Sequence, residues 1–368
     1  MRILVFNWQD IRNPNSGGAE VHLHEIFRRI VAMGHSVTLF CSAFIGSAHE
    51  ETIDGISIIR AGSRNLFNYL VPRRYASHFS NEKYDVVVDD VNKIPFYTPL
   101  YVREPLIGIL HHLFGSTIFN EAGWVPAAYV YGAERLALSV YRKTPFAVVS
   151  ESTRKELLEA GFSSDRIMIV PNGVTMPNAN LPDSIPPEPV VGHFGRLKKY
   201  KSVDHLLKAF VKVRERIPNA KLIIVGEGDH RITLEQISHK LGLDSVVNFT
   251  GYVDEATKNR LLINSTVVVN CSVKEGWGLT VLEANAFGVP VVASNVPGLR
   301  DSVVENRTGL LYDYGNIDQL ADRIIALLTD KELRGRLSVE ARRWAESFSW
   351  DRSADLMLEL IERTVVRR

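Results

Sequence analysis

Several features that would direct the 368 residues toward particular protein classes are absent. The chain has two cysteines, Cys41 and Cys271, each at the end of an apolar run, so we expect buried thiols and no disulfide or metal ligand set. The 43 basic residues nearly balance the 42 acidic ones, which gives no overall field for binding nucleic acid. No signal peptide opens the sequence, and no uncharged stretch reaches membrane-spanning length. We therefore expect a cytoplasmic protein.

Three nucleotide or metal motifs are also missing. The loop after the first predicted strand lacks the GxGxxG fingerprint of dinucleotide enzymes and the GxxxxGK[ST] loop of nucleotide hydrolases. The missing fingerprint disfavours an oxidoreductase with two nucleotide folds. No DxD triplet occurs, so a divalent metal that bridges a diphosphate has no evident ligands. We expect neither a metal nor a cofactor.

Short apolar runs alternate with helical patterns along the whole chain, which predicts parallel sheets covered by helices on both faces. In the first half the predicted strands are residues 3–6, 37–40, 56–59, 86–89, 106–110, 146–150 and 168–170. In the second half they are residues 190–194, 222–225, 246–250, 267–270, 290–293 and 309–312.

A break near the middle divides this pattern. Residues 177–189 contain five prolines and little apolar content, so they cannot form a core element. We predict two Rossmann-like doubly wound domains, with the boundaries 1–177 for the first, 178–189 for a linker, 190–346 for the second, and 347–368 for a closing amphipathic helix.

Glycines and charged residues follow several predicted strands, where parallel sheets bind ligands. Gly17 and Gly18 precede a helical pattern and offer backbone amides to a phosphate or sugar, although a flexible glycine start to the helix explains them equally well. Arg196 and Lys201 follow the first strand after the linker, and two cations there can neutralise a diphosphate. An exposed basic loop is the alternative interpretation.

The run SVKEGWGLTVLEANAFGVPVVAS is the most informative one. Its glycines end a strand and open a helix, which predicts a phosphate site at the positive end of the helix dipole. Glu275 lies on the loop and Glu283 inside the helix, so the two carboxylates can reach different hydroxyl-bearing parts of one ligand. A sugar nucleotide has that layout.

Together these motifs resemble the retaining, family-4 type nucleotide-sugar glycosyltransferases of the GT-B architecture, over nearly the whole chain. The matching elements, in chain order, are Gly17 and Gly18, the PNGV segment 171–174, the loop with Gly195, Arg196, Leu197 and Lys201, the E-x7-E segment 275–291, and the FSW segment 348–350.

The resemblance implies GT-B architecture, in which two domains face a central cleft and the last helix returns to the first domain. It implies that Arg196 and Lys201 hold the donor diphosphate together with the amides near Gly278, Leu279 and Thr280, and that Gly18 approaches from the other domain. Glu283 is expected to bind the ribose and Glu275 the transferred sugar. Gly226, Glu227, Tyr252 and Val253 are expected to flank the base.

The resemblance also implies transfer of a hexose-type sugar with retention of configuration to a glycan, lipid-linked or small-molecule acceptor in the first domain. His111, at the end of a predicted strand, is the expected strand-end histidine, with His112 as the alternative. Residues 64–79 mix aromatic and arginine side chains, which suits either a surface helix, the interpretation that we favour, or peripheral contact with a membrane. A GT-B epimerase or hydrolase, a phosphorylase and a non-catalytic sugar-nucleotide-binding protein remain alternatives.

Overall fold

A computed structural model describes residues 1–92, 94–121, 123–177 and 188–366. Residues 178–187 of the predicted linker therefore lie outside the described part. The chain divides into two compact units, of which unit 1 comprises Met1–Gly173 and Trp350–Arg368 and unit 2 comprises Val174–Ser349.

Unit 1 is built on an eight-stranded sheet. Its strands are β1 (Arg2–Phe6), β2 (Ser36–Ser42), β3 (Glu50–Ile53), β4 (Ile56–Ala61), β5 (Val86–Val91), β6 (Leu106–Leu110), β7 (Phe146–Val148) and β8 (Ile167–Ile169). The strand order is β3-β4-β2-β1-β5-β6-β7-β8, and all pairs are parallel except β3 with β4. Ile3, Leu4 and Val5 of β1 are fully buried, because helices cover both faces of the sheet.

Four helices of unit 1 connect these strands. They are α1 (Gly18–Ala32), α2 (Phe67–Ser77), α3 (Trp124–Val140) and α4 (Glu151–Glu159). Helix α2 is the surface helix favoured for residues 64–79, since Phe67, Val71 and Tyr75 are buried while Tyr69 is exposed.

Unit 2 is built on a six-stranded parallel sheet with the order β11-β10-β9-β12-β13-β14. Its strands are β9 (Val190–Phe194), β10 (Lys221–Val225), β11 (Val247–Gly251), β12 (Val267–Asn270), β13 (Val291–Ser294) and β14 (Gly309–Tyr312). Its helices are α5 (Val203–Arg216), α6 (Arg231–Lys240), α7 (Glu255–Ile263), α8 (Leu279–Ala286), α9 (Leu299–Ser302), α10 (Ile317–Thr329) and α11 (Lys331–Glu346).

The last helix, α12 (Trp350–Val366), belongs to unit 1. It packs against α1, where Arg29 Nε donates to Asp351 Oδ1 over 2.5 Å. Ser353 Oγ donates to the carbonyl of Pro171 over 2.7 Å, and the Trp350 and Met357 side chains are buried. The predicted fold class is confirmed: two Rossmann-like α/β units, with a carboxyl-terminal helix on the amino-terminal unit.

Candidate functional site

The two most informative loops follow neighbouring strands in unit 2. The strand order of the sheet reverses between β9 and β12, which pair directly in the middle of the sheet. The loop with Arg196 and Lys201 follows β9, and the loop with Glu275 follows β12. Such a reversal opens a crevice beyond the carboxyl ends of the strands, where open α/β sheets bind ligands. The structure therefore brings the two sequence motifs together at the position where open α/β sheets bind ligands.

Lys201 and Glu275 form an ion pair across these two loops. Both side chains are about 85% buried, with 15% and 13% of their surface exposed. Burial opposes the charge on Lys201, but Glu275 outweighs it and raises the pKa of the ammonium above its ordinary value, against a smaller opposing effect of the nearby Arg196 guanidinium. The site thus favours a charged ammonium at Lys201, with a second cation, Arg196, close enough to affect its pKa.

Ser272 fixes the carboxylate of Glu275. Its Oγ lies 2.7 Å from Glu275 Oε1 and 2.8 Å from Asn270 Oδ1, and the hydroxyl is fully buried. Ser294 Oγ in turn donates to the Ser272 carbonyl over 2.5 Å. Ser272 is thus held by Asn270 at the end of β12 and by Ser294 at the end of β13, and it holds Glu275 in turn. These contacts give Glu275 a defined orientation without a ligand.

The glycine loop between Glu275 and α8 is packed tightly. Gly278 precedes α8 with φ of 86°, a left-handed conformation that glycine adopts without strain. A Cβ on Gly298 would lie 2.2 Å from the Glu275 carbonyl oxygen, so the two backbones touch. Trp277 is buried, with its ring centroid 5.2 Å from that of Phe348.

Leu279 and Thr280 form the first turn of α8, directly after this loop. The first amides of a helix have no intrahelical acceptor and carry the positive end of the dipole. This helix start therefore suits an anion beside Lys201.

Glu283 lies one turn further along α8 and pairs with a residue that the sequence reasoning missed. Lys258 Nζ of α7 is 2.9 Å from Glu283 Oε1 and 2.9 Å from Glu255 Oε2. Burial raises the pKa of Glu283 above its ordinary value, although Lys258 pulls it down. The arrangement is a largely buried carboxylate whose charged form one lysine favours against the effect of burial. A lysine four residues into a polar helix carries no sequence signal for this role.

The loops after β9 and β10 lie against each other. Gly226 has φ of 135°, and a Cβ there would come 2.0 Å from the Gly195 carbonyl oxygen. The amide of Leu197 donates to the Glu227 carbonyl over 2.8 Å, and the Glu227 carboxylate pairs with Arg231. The glycines thus permit a close approach that places Glu227 beside the Arg196 loop.

The predicted base-flanking turn follows β11. Tyr252 is 85% exposed, and Val253 packs partly on the apolar cluster beneath α8. An exposed aromatic ring at a strand end is available to stack on a planar ligand.

The glycine pair of unit 1 begins α1. Gly17 is the N-cap, and its amide donates to Glu20 Oε2 over 2.6 Å. No atom lies within 4 Å of a Cβ built on Gly18, so open space adjoins this helix start.

His111 follows β6 and pairs with a buried acid. Its Nε2 lies 3.2 Å from Asp90 Oδ1 at the end of β5, and its ring meets that of His22 edge-on with centroids 5.2 Å apart. Burial opposes the charged imidazole, but Asp90 raises the pKa of His111 above its ordinary value. Burial and the adjacent His111 lower the pKa of His22 to about 3, so His22 stays neutral.

His112 has different surroundings. Its ring packs on Phe114 with centroids 4.5 Å apart, and it lines a small cavity with Tyr141. The partner of His111 is Asp90. Asp90 was missed by the sequence reasoning, although paired acids in the apolar run VVVDDV were a signal for it, because a buried acid needs a partner.

Among the described residues, no group of three or more His, Cys, Asp or Glu side chains is arranged to hold a metal ion. In the same part of the chain, no helix has the length and apolar character to cross a membrane.

Two family models match the chain in succession. The model for Glycosyltransferase Family 4 matches residues 16–176, and the model for Glycosyl transferases group 1 matches residues 182–344. Because the two matches together span most of the sequence, the chain belongs to the family-4 glycosyltransferases.

Known proteins support this assignment. The GDP-mannose-dependent alpha-(1-6)-phosphatidylinositol monomannoside mannosyltransferase of Mycobacterium tuberculosis is 26% identical over 380 residues, which cover 95% of both chains. Sucrose-phosphate synthase from Thermosynechococcus elongatus has a TM-score of 0.84 at 20% identity over all of both chains. The Anabaena protein HepE, solved with UDP and glucose, has a TM-score of 0.76 at 20% identity over 99% of this chain and 100% of its own. The structural likenesses show the GT-B fold, and the chain is a glycosyltransferase of this type.

Proposed function

We propose that this glycosyltransferase moves a hexose-type sugar from a nucleoside-diphosphate donor to a hydroxyl group of a glycan, lipid-linked or small-molecule acceptor, with retention of configuration and without a metal. The observation that carries the proposal is the meeting of Lys201, Glu275 and the start of α8 at the strand reversal of unit 2. A cation and a carboxylate side by side suit the junction of a diphosphate with a sugar. The cation can bind the anionic diphosphate, and the carboxylate can accept hydrogen bonds from the hydroxyl groups of the sugar.

The donor roles follow from charge and position. Arg196, Lys201 and the amides of Gly278, Leu279 and Thr280 bind the diphosphate in this proposal. Glu275 accepts hydrogen bonds from the transferred sugar, and Glu283 accepts them from the ribose. The base lies near Gly226, Glu227, Tyr252 and Val253. Two proteins support the donor class: the mycobacterial relative is named as GDP-mannose-dependent, and HepE was solved with UDP and glucose.

The chemistry is separation of charge. Breaking the bond between the anomeric carbon and the diphosphate oxygen leaves positive charge on the sugar and negative charge on the diphosphate. Fixed cations and helix amides stabilise the leaving diphosphate without reorganising. The acceptor hydroxyl bonds to the anomeric carbon from the face that the diphosphate leaves, which retains the configuration, and its proton passes to the departing diphosphate oxygen. His111 of unit 1 serves the acceptor side in this proposal. Cys41 and Cys271, both buried free thiols, suit a reducing cytoplasm.

Release of nucleoside diphosphate tests this proposal. The chain is incubated with UDP-, GDP- and ADP-hexoses and with pooled glycan and lipid acceptors, with and without a chelator. We expect one donor to yield diphosphate only when acceptor is present, the chelator to have no effect, and NMR of the product to show retained anomeric configuration. Glu275→Gln serves as the inactive control. Release without acceptor would show a hydrolase, and conversion of the donor into an epimeric sugar nucleotide would show an epimerase. Binding with neither outcome and no transfer would show a silent sugar-nucleotide-binding protein.

A further inference from the structure

The sheet of unit 1 has a strand reversal of its own. Strands β1 and β5 pair directly in the middle of the sheet, and the strand order runs outward from them in opposite directions. Open α/β sheets bind ligands beyond the carboxyl ends of the strands at such a reversal. Residues 7–17, the loop after β1, therefore border this position. Glu20, which accepts the hydrogen bond from the Gly17 amide at the end of the loop, lies within electrostatic reach of His111.

A buried ion pair holds this loop. Arg60 of β4 and Asp10, in the middle of the loop, both have fully buried side chains. Arg60 Nε donates to Asp10 Oδ2 over 2.7 Å, and Arg60 Nη2 donates to Asp10 Oδ1 over 3.1 Å. Because the contact is two-pronged, it fixes the plane of the carboxylate as well as its position.

The same guanidinium also holds the chain between β2 and β3. Arg60 Nη1 donates to the Ala48 carbonyl over 3.1 Å and to Glu51 Oε2 of β3 over 2.9 Å. Arg60 Cζ lies 5.3 Å from the centre of the Phe44 ring, which is a cation–π contact. One side chain therefore joins the loop after β1 to the loop after β2 and to the antiparallel edge of the sheet.

Asp10 orders its loop from within. Its Oδ1 accepts a hydrogen bond from the amide of Arg12 over 2.8 Å, and its carbonyl accepts one from the amide of Asn13 over 3.1 Å. The amide of Ser16 donates in turn to the Asn13 carbonyl over 2.8 Å. A chain of hydrogen bonds thus runs from Asp10 to the residue before Gly17, the N-cap of α1.

Stability alone does not account for a buried pair of this kind. Removing a carboxylate and a guanidinium from water is costly, and well-packed apolar side chains of similar volume commonly stabilise a fold as much or more. Apolar side chains cannot, however, supply directional contacts to a carboxylate, a carbonyl and an aromatic ring at once. The pair of Arg60 and Asp10 therefore contributes a defined loop geometry.

We infer that Arg60 is a positioning residue for sugar transfer, which acts through Asp10 and holds residues 7–17 in the conformation that the acceptor side of the reaction requires. Arg60 is fully buried, so it acts through its neighbours and not on a substrate. The kinetic part of this inference rests on the proposed function. The ordering of the loop does not, because it can be measured without turnover.

A double substitution separates positioning from stability. Asp10→Leu combined with Arg60→Met replaces the ion pair by apolar side chains, so neither charge is left buried alone. We expect a melting temperature close to that of the wild type, hydrogen–deuterium exchange at least about tenfold faster at the amides of residues 11–17, and a kcat for transfer at least about tenfold lower. Arg2→Met is the matched control, because Arg2 lies at the other end of β1 and pairs with Glu82. Its exchange in residues 11–17 and its kcat should match the wild type.

Arg60→Lys gives a second test, because lysine keeps the positive charge but cannot form the two-pronged contact. It should show faster exchange in residues 11–17 and a lower kcat, both to a smaller extent than the double variant.

Three results for the double variant would overturn the inference. They are wild-type exchange in residues 11–17, faster exchange in these residues with a wild-type kcat, and loss of protection throughout unit 1, which would show that the pair supports the whole unit. Absence of transfer by the wild type would instead contradict the proposed function, and the exchange measurement would still decide whether Arg60 holds the loop.

Discussion

Lys201 and Glu275, which are 74 residues apart in the sequence, form an ion pair where the sheet of unit 2 reverses its strand order. The pair joins the loop after β9 to the loop after β12. It therefore places the residue that we propose binds the diphosphate, Lys201, beside the residue that we propose binds the transferred sugar, Glu275. Lys201 is for this reason the first residue to substitute in a test of the phosphate site.

Replacing Lys201 by methionine should weaken binding of the donor nucleoside diphosphate by tenfold or more, because a largely buried charge-assisted contact is worth about 1.5 to 3 kcal/mol. Lys199→Met is the matched control, since Lys199 lies on the same loop with its side chain exposed. Titration calorimetry measures both. Equal losses in the two variants would mean that the loop acts through its overall charge, and the assignment of Lys201 would then be wrong.

Lys258 should set the pH range in which the donor binds. Burial raises the pKa of Glu283 and Lys258 opposes that effect, so donor affinity that depends on the carboxylate falls as the pH drops through this raised pKa. Lys258→Gln removes the opposition and should move the acid-side loss of affinity to higher pH.

The control for this prediction is Lys258→Arg, which keeps the positive charge and should behave like the wild type. The measurement is donor affinity as a function of pH for all three proteins. Superimposable profiles of the wild type and Lys258→Gln would show that Glu283 does not bind the donor as an anion.

Asp90 should control the titration of His111. Asp90→Asn removes the charge that raises the pKa of His111 and leaves the burial that lowers it, so the pKa should fall below the wild-type value. Because the folded-state pKa is raised, the pair's contribution to the free energy of unfolding is full below the unfolded histidine pKa and is lost as the pH rises through the folded-state pKa.

NMR titration of the His111 ring measures this pKa directly. Asp54→Asn is the control, because Asp54 pairs with His24, 2.8 Å away, and has no contact with His111. A His111 pKa that is the same in Asp90→Asn as in the wild type would contradict the electrostatic account of this pair.

Gly226 should tolerate no side chain. Alanine there combines a φ of 135° with a Cβ 2.0 Å from the Gly195 carbonyl oxygen, so the two loops must separate. We expect Gly226→Ala to destabilise unit 2 by about 1 to 3 kcal/mol and to weaken donor binding. Gly335→Ala in α11 has open space and should stabilise the chain by about 0.5 to 1 kcal/mol. Urea denaturation compares the two, and a stable Gly226→Ala that binds donor normally would refute the close approach.

The strands of both sheets could be predicted from the sequence because each is a short apolar run that ends at turn residues. Strands β6, β9, β12 and β14 have the predicted limits, and the other predicted strands differ at their ends by one or two residues. Strand β3 was missed because its sequence, EETI, carries two charges and lies at the antiparallel edge, where one face meets water.

The partners of the site residues could not be predicted in the same way. Glu283 and Lys258 are 25 residues apart on two helices, and His111 and Asp90 are 21 residues apart at neighbouring strand ends. Which side chains meet in these pairs depends on how the helices pack on the sheet and on which strands are neighbours. No local sequence pattern encodes either of these. The burial of Glu134 in α3 was missed for the same reason, because it depends on hydrogen bonds from the amides of Phe114 and Gly115, 20 and 19 residues away.

Calorimetric titration with UDP, GDP and ADP, each compared with its monophosphate, tests the central claim most directly, since the diphosphate is the group that Arg196, Lys201 and the start of α8 are proposed to hold. We predict that one diphosphate binds the wild-type chain at least tenfold more tightly than its monophosphate, and that Lys201→Met abolishes this difference while Lys199→Met keeps it. Absence of binding by all three diphosphates, or a preference for the diphosphate that survives in Lys201→Met, would contradict the account.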